Sequence, residues 1–117
     1  MAVKLIQLTD NIRQDMLNQP VKYAQADPNL VVAETHEKVV TIKNETPALG
    51  WAPQTQVTVD CTCPDFQFRW AYVLWKHDGL LYPEKYVLEP PKKKNPGMTV
   101  GACKHVTRVI QDLLEKV

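Results

Sequence analysis

This chain of 117 residues has only three cysteines, and they fall in two tight groups. Cys61 and Cys63 flank Thr62, and Cys103 is separated from His105 by Lys104 alone. Thiolate sulfur and imidazole nitrogen are favoured zinc ligands, and three sulfurs with one nitrogen complete a tetrahedral set. A disulfide inside Cys-x-Cys would close a short, strained ring. An odd number of thiols also argues against a disulfide framework and for a reducing compartment. The plain alternative is three buried cysteines and a surface histidine. Two pairs of identical spacing that use every cysteine favour a metal, and a mixed sulfur–nitrogen set favours zinc over iron or copper. Four protein ligands leave no open coordination position, so one structural Zn2+ is expected rather than a catalytic one. A nucleophilic-cysteine enzyme is the competing chemistry. Cys103 and His105 are close, but no third orienting residue or oxyanion element is evident, so no enzymatic activity is expected.

The ligands can meet only if the elements carrying them do. In residues 55–63, Val57, Val59, Cys61 and Cys63 alternate, which predicts a strand that aims both thiols to one side. In residues 103–117, Val106, Val109, Ile110, Leu113 and Leu114 have helical spacing, so Cys103 and His105 fall at the start of a helix, where thiolate charge is favoured. Upstream, residues 29–35 and 38–44 are rich in Val, Ile and Thr and flank His36-Glu37, predicting an antiparallel hairpin. A first helix is predicted from Thr9 or Asp10 to Pro20, through Ile12, Met16 and Leu17. Between the ligand pairs, Asp65 can cap a helix that ends at Gly79 and is apolar nearly all round, hence buried all round or covered by another chain. Residues 80–101 hold four prolines and read as an irregular excursion with a short extended piece at 85–88.

The expected fold is therefore α+β: a small antiparallel sheet with an N-terminal helix, a spacer helix and a C-terminal helix, stabilised by zinc. One domain spans 1–117, with the helix and hairpin in 1–50 and the zinc-binding region in 51–117 around a long spacer, 64–102. The last helix is expected to be tied to the sheet mainly by the metal, and the aromatic insert to be dispensable for binding it. Net charge is +1, too small for strong global steering toward nucleic acid. Residues 61–117 are mildly basic, with 9 Lys/Arg against 6 Asp/Glu. No run of apolar residues is long enough to span a membrane, and the first 15 residues have too short an apolar core for a signal peptide.

The ligand pattern resembles the SWIM-type zinc finger, a CxC pair, a variable spacer and a CxH pair, over about residues 51–117. "CPDF" after the first pair and "CKHV" at the second strengthen the likeness, and the spacer is longer than in compact members. The long form, with its Pro/Lys-rich "EPPKKKNPG", is similar to small SWIM-containing proteins of tailed bacteriophages. The resemblance implies a ββα zinc site and a non-enzymatic role in protein–protein contact or nucleic-acid binding. The expected partners are other subunits of an assembly such as a phage particle, with the chain in the virion or otherwise cytoplasmic. Candidate partner contacts are Phe68, Trp70, Tyr72, Trp75, Tyr82 and Tyr86. Candidate nucleic-acid contacts are Lys92, Lys93, Lys94, Lys104 and Arg108, with Lys85 nearby. His77, an alternative metal ligand by position, is read as a helix C-terminal cation or simply exposed, and His36 as solvated.

Overall fold

The computed structural model describes residues 3–9, 16, 18–86, 88 and 101–115. Its centre is a five-stranded antiparallel sheet in the order β1-β5-β4-β3-β2, with β1 Val3–Lys4, β2 Lys22–Ala26, β3 Leu30–Thr35, β4 Lys38–Asn44 and β5 Gln56–Cys61. With two α-helices among the described residues, Ala71–Lys76 and Lys104–Glu115, it is an α+β fold. The predicted hairpin is β3–β4, in register from Leu30↔Lys43 to Thr35↔Lys38. Its two-residue turn puts His36 at φ 48° and Glu37 at φ 67°, the left-handed pair that matches the twist of adjoining strands. β5 then pairs with β4 from Val57 to Cys61.

Alternation decides which face is covered. Val31, Ala33, Val40, Ile42, Val57, Val59 and Cys61 are buried on one side of the sheet. Against that side packs the C-terminal helix, which we call α2, Lys104–Glu115, through Val106, Val109, Ile110 and Leu113. A 3-10 turn at Leu5–Leu8 closes the same core with Leu5 and Leu8. The helix is fastened along its length rather than mainly at its first turn. Thr107 Oγ1 donates to the Leu8 carbonyl at 2.9 Å, Arg108 Nε donates to the Gln19 carbonyl at 3.1 Å, and Asp112 accepts from the Tyr23 hydroxyl on β2.

The spacer helix differs from expectation in several respects. Pro64 and Asp65 open it, a π-helical segment follows at Phe66–Trp70, and it continues as α1, Ala71–Lys76. Asp65 is itself helical (φ −61°) and makes no side-chain cap. The left-handed residue after the helix is Asp78 (φ 59°), not Gly79. Gly79 is instead held by close approach: a Cβ there would lie 2.7 Å from a Val3 methyl. Nor is the helix buried all round. Phe66, Trp70, Ala71, Val73 and Leu74 are inside, whereas Phe68 is 61% and Trp75 42% exposed, because a helix laid against one side of the core keeps its opposite side in water.

After the helix the chain returns to the free edge of β5. Val59 N–H donates to the Gly79 carbonyl at 2.8 Å, and Leu81 N–H donates to the Val59 carbonyl at 3.0 Å, a parallel bridge in line with β1. Of the extended piece expected at 85–88, Lys85 closes a 3-10 turn, Pro83–Lys85, Tyr86 is extended behind it, and residue 87 lies outside the described residues. That turn delivers Lys85 and Tyr86 to the carboxylate of Asp60, which is 3% exposed on the opposite face of β5. The N-terminal helix predicted for 10–20 lies mostly outside the described residues; Met16 is helical and buried. Among the described residues, no helix is long and apolar enough to cross a membrane.

Candidate metal centre

Cys61 is the last residue of β5. Thr62 continues the arm and is held to β4 twice, accepting from Val39 N–H at its hydroxyl (3.0 Å) and donating its own N–H to the Val39 carbonyl (3.1 Å). This middle residue fixes the arm so that Cys63, two positions on, turns to the same side as Cys61. Pro64 then turns the chain into the helical segment, and Phe66 N–H donates to Cys63 Sγ at 3.3 Å. From the other direction, Gly101 and Ala102 lead into Cys103, whose carbonyl accepts from Thr107 N–H at 3.0 Å in the first turn of α2. His105 lies on that turn.

The result is one cluster. The ligand atoms of Cys61, Cys63, Cys103 and His105 all lie within 4.8 Å of one another, and all four residues are buried. Around a tetrahedral zinc with Zn–S near 2.3 Å, sulfurs sit about 3.8 Å apart, so the set closes on an ion by small side-chain rotations. Two observations fit a bound cation. His105 is 4% exposed, yet neither Nδ1 nor Nε2 has a hydrogen-bond partner among the described residues, an unfavourable state for a buried imidazole. The three thiols also press on each other's protons. Hydrogen bonds from Cys103 and then Cys61 hold the Cys63 thiol far below its ordinary range. At Cys61 the bond from Cys103 pulls down but is outweighed by the bond to Cys63, burial and the Cys63 charge, so the thiol is pushed up to about 12. Burial, reinforced by both neighbours, raises Cys103 well above its ordinary value. A cation placed among them would allow all three to ionise. A metal here would be held by Cys61, Cys63, Cys103 and His105, with its four positions filled by protein.

The insert between the ligand pairs, expected to be dispensable for binding the metal, packs against the second ligand arm. The Trp70 ring packs on the backbone ahead of Cys103, where a Cβ on Gly101 would come within 2.9 Å of it. Trp70 Nε1 donates to Asp65 at 3.2 Å, and Arg69 Nε pairs with the same carboxylate at 3.3 Å. Such tertiary support leaves no local signal in a sequence, apart from the small residue at 101. His36 is exposed, as expected, but not idle: its ring stacks on that of His105, centroids 6.0 Å apart.

The other candidates divide. Phe68, Trp75 and Tyr82 are exposed and Tyr72 is half-buried, with the Tyr72 and Trp75 rings 5.7 Å apart and Lys76 Nζ within 6 Å of both. Trp70 is 8% exposed and committed to the interior. Tyr86 is partly buried, and its hydroxyl is used on Asp60; burial and that bond push its phenol above the ordinary range. Lys85 is paired with Asp60 at 2.8 Å, and Arg108 with the Gln19 carbonyl. Lys104 borders a cavity beside the ligands. His77 closes α1, its N–H donating to the Val73 and Leu74 carbonyls. Lys92, Lys93 and Lys94 lie outside the described residues. No family model, curated protein or solved structure matches the chain.

Proposed function

We propose that the chain is a non-enzymatic, zinc-stabilised structural or adaptor protein that acts through protein–protein contacts. The observation that carries this reading is a closed four-ligand set beside two aromatic side chains, Phe68 and Trp75, left in solvent. Cys63, one of the four, accepts from the first turn of the helix that presents Phe68, Tyr72 and Trp75. A full coordination sphere supplies stability rather than an open catalytic position. Large aromatic side chains kept in water next to a rigid anchor are the residues that interfaces bury at their centres. On the resemblance of its ligand pattern to SWIM fingers of tailed bacteriophages, the partner we favour is another subunit of a phage particle.

The test compares native-source complexes formed by the wild-type chain and by Phe68→Ser/Trp75→Ser, with zinc measured by elemental analysis in both. We expect about one zinc per chain in each and loss of the protein partner from the double variant alone. Less than about half a zinc per chain, with no effect of chelation on the fold, would sink the metal assignment. Retention of the partner by the double variant would sink the adaptor surface. Co-purifying nucleic acid that leaves as salt is raised would favour a nucleic-acid-binding SWIM module instead.

A further inference from the structure

A metal ion takes one nitrogen of a histidine. The other carries a proton, and in metal sites it almost always donates to a carboxylate, a backbone carbonyl or water. With one nitrogen of His105 on a metal, a buried N–H is left over, and no described group accepts it. His105 lines a cavity of about 430 Å3 together with His36, Lys38, Cys63, Asp65, Arg69 and Lys104. The carboxylate lining this cavity, Asp65, accepts from Trp70 Nε1 and pairs with Arg69 Nε, and it makes no hydrogen bond to either His105 nitrogen. His36 lies over the His105 ring at an interplanar angle of 26°, and a stacked ring cannot accept from an N–H that lies in the plane of its neighbour.

The rest of the rim is cationic. Lys38 opens β4 and Lys104 opens α2, and neither forms an ion pair with a described carboxylate. Arg69 adds a third positive charge, and the positive end of the twelve-residue α2 adds its partial charge. The centre's own charge counts against an anion: a dication held by three thiolates carries one net negative charge, and Asp65 adds another. The three cations outnumber them. Lys38 from β4, with Lys104 and the imidazole N–H of His105 from successive positions of α2, suits a group with several oxygens pointing in different directions. A planar carboxylate would be matched better by a free arginine fork, and Arg69 is engaged.

We propose that this cavity binds a phosphate group, with Lys38 and Lys104 supplying charge and the metal-free N–H of His105 donating a hydrogen bond. The site rests on the metal reading given above, so zinc content is measured first on the same sample. The zinc-loaded full chain is then titrated with inorganic phosphate, by calorimetry and by NMR of the histidine ring N–H groups. The expected result is saturable binding with a Kd of about 1 mM or tighter and a shift of the His105 N–H resonance. Lys38→Gln/Lys104→Gln should weaken binding at least about tenfold, since two charge-assisted bonds are lost. Adenosine 5′-monophosphate identifies the source. Tighter binding than inorganic phosphate supports a nucleotide phosphate, and equal binding supports free phosphate. Acetate binding as strongly as phosphate, an unmoved His105 resonance, or unweakened binding by the double variant overturns the site. Absence of saturable binding to zinc-loaded protein overturns the phosphate site alone. A sample that takes up no zinc overturns the metal centre and the site built on it.

Discussion

Three thiols within 4.8 Å of one another cannot all lose their protons unless a cation sits among them. Hydrogen bonds from Cys103 and then Cys61 hold the Cys63 thiol down, while Cys61 is pushed up to about 12 and burial raises Cys103. Metal binding near neutral pH therefore displaces about two thiol protons, and apparent affinity should fall about 100-fold for each pH unit of acidification. The sign follows from the directions: Cys61 and Cys103, raised above their ordinary values, keep their protons at pH 7 until the metal removes them. Proton release measured in weakly buffered solution during zinc titration checks this, and release of less than one proton per zinc would contradict it. At this scale the ligands were legible, because spacing and residue type are local properties. The residues that hold them were not. Thr62 matters through its two bonds to Val39, and Asp60 through Lys85 and Tyr86, which are 25 and 26 positions away. Neither pairing has a local pattern.

Among the elements, β3, β4 and β5 could be read because Val, Ile and Thr alternate with polar residues where one face is covered. β2 could not. It lies at the edge of the sheet, four of its five residues are exposed, and its register with β3 slips between Tyr23 and Gln25, so it carries little hydrophobic period. The left-handed turn at His36-Glu37 uses neither Asn nor Gly, and the flanking strands alone marked it. The spacer helix was placed correctly, but its packing contact with the other ligand arm has no local pattern in the sequence. Gly101 tests that contact. The Trp70 ring cannot swing away from an added methyl, since it is 8% exposed and its Nε1 is held by Asp65. Gly101→Ala should destabilise the zinc-loaded protein by about 1–3 kcal/mol through overpacking. It should also lose zinc to a competing chelator more readily, as the Cys103–His105 arm is displaced. Urea unfolding and chelator competition read the two effects. A variant unchanged in both would show that Trp70 does not support the second ligand pair.

For the whole molecule, the question is whether the metal folds the protein or locks one end of it. In small zinc fingers there is almost nothing else, and the chain unfolds without its ion. Here the ligands gather at the C-terminal end of β5 and the N-terminal end of α2. The core runs well beyond them, through Leu5, Leu8, Val31, Val40, Ile42, Val57, Val109 and Ile110, all fully buried. α2 is also bonded to Leu8, Gln19 and Tyr23 at positions that no ligand controls. Removing a metal held at this centre should leave that core intact while stranding a buried His105 and three crowded thiols. The chelated protein should therefore keep most of its far-UV circular dichroism and melt about 10–20 °C lower, the shift expected when several kcal/mol are lost from a chain of this size. Opening should be local. Hydrogen exchange should lose protection at residues 61–66 and 103–106 while β3 and β4 keep theirs. Equal loss of protection in β3 and β4, or complete unfolding at room temperature on chelation, would mean that the sheet and its helix cannot hold together without the ion. The metal would then be a condition of folding rather than a local clamp.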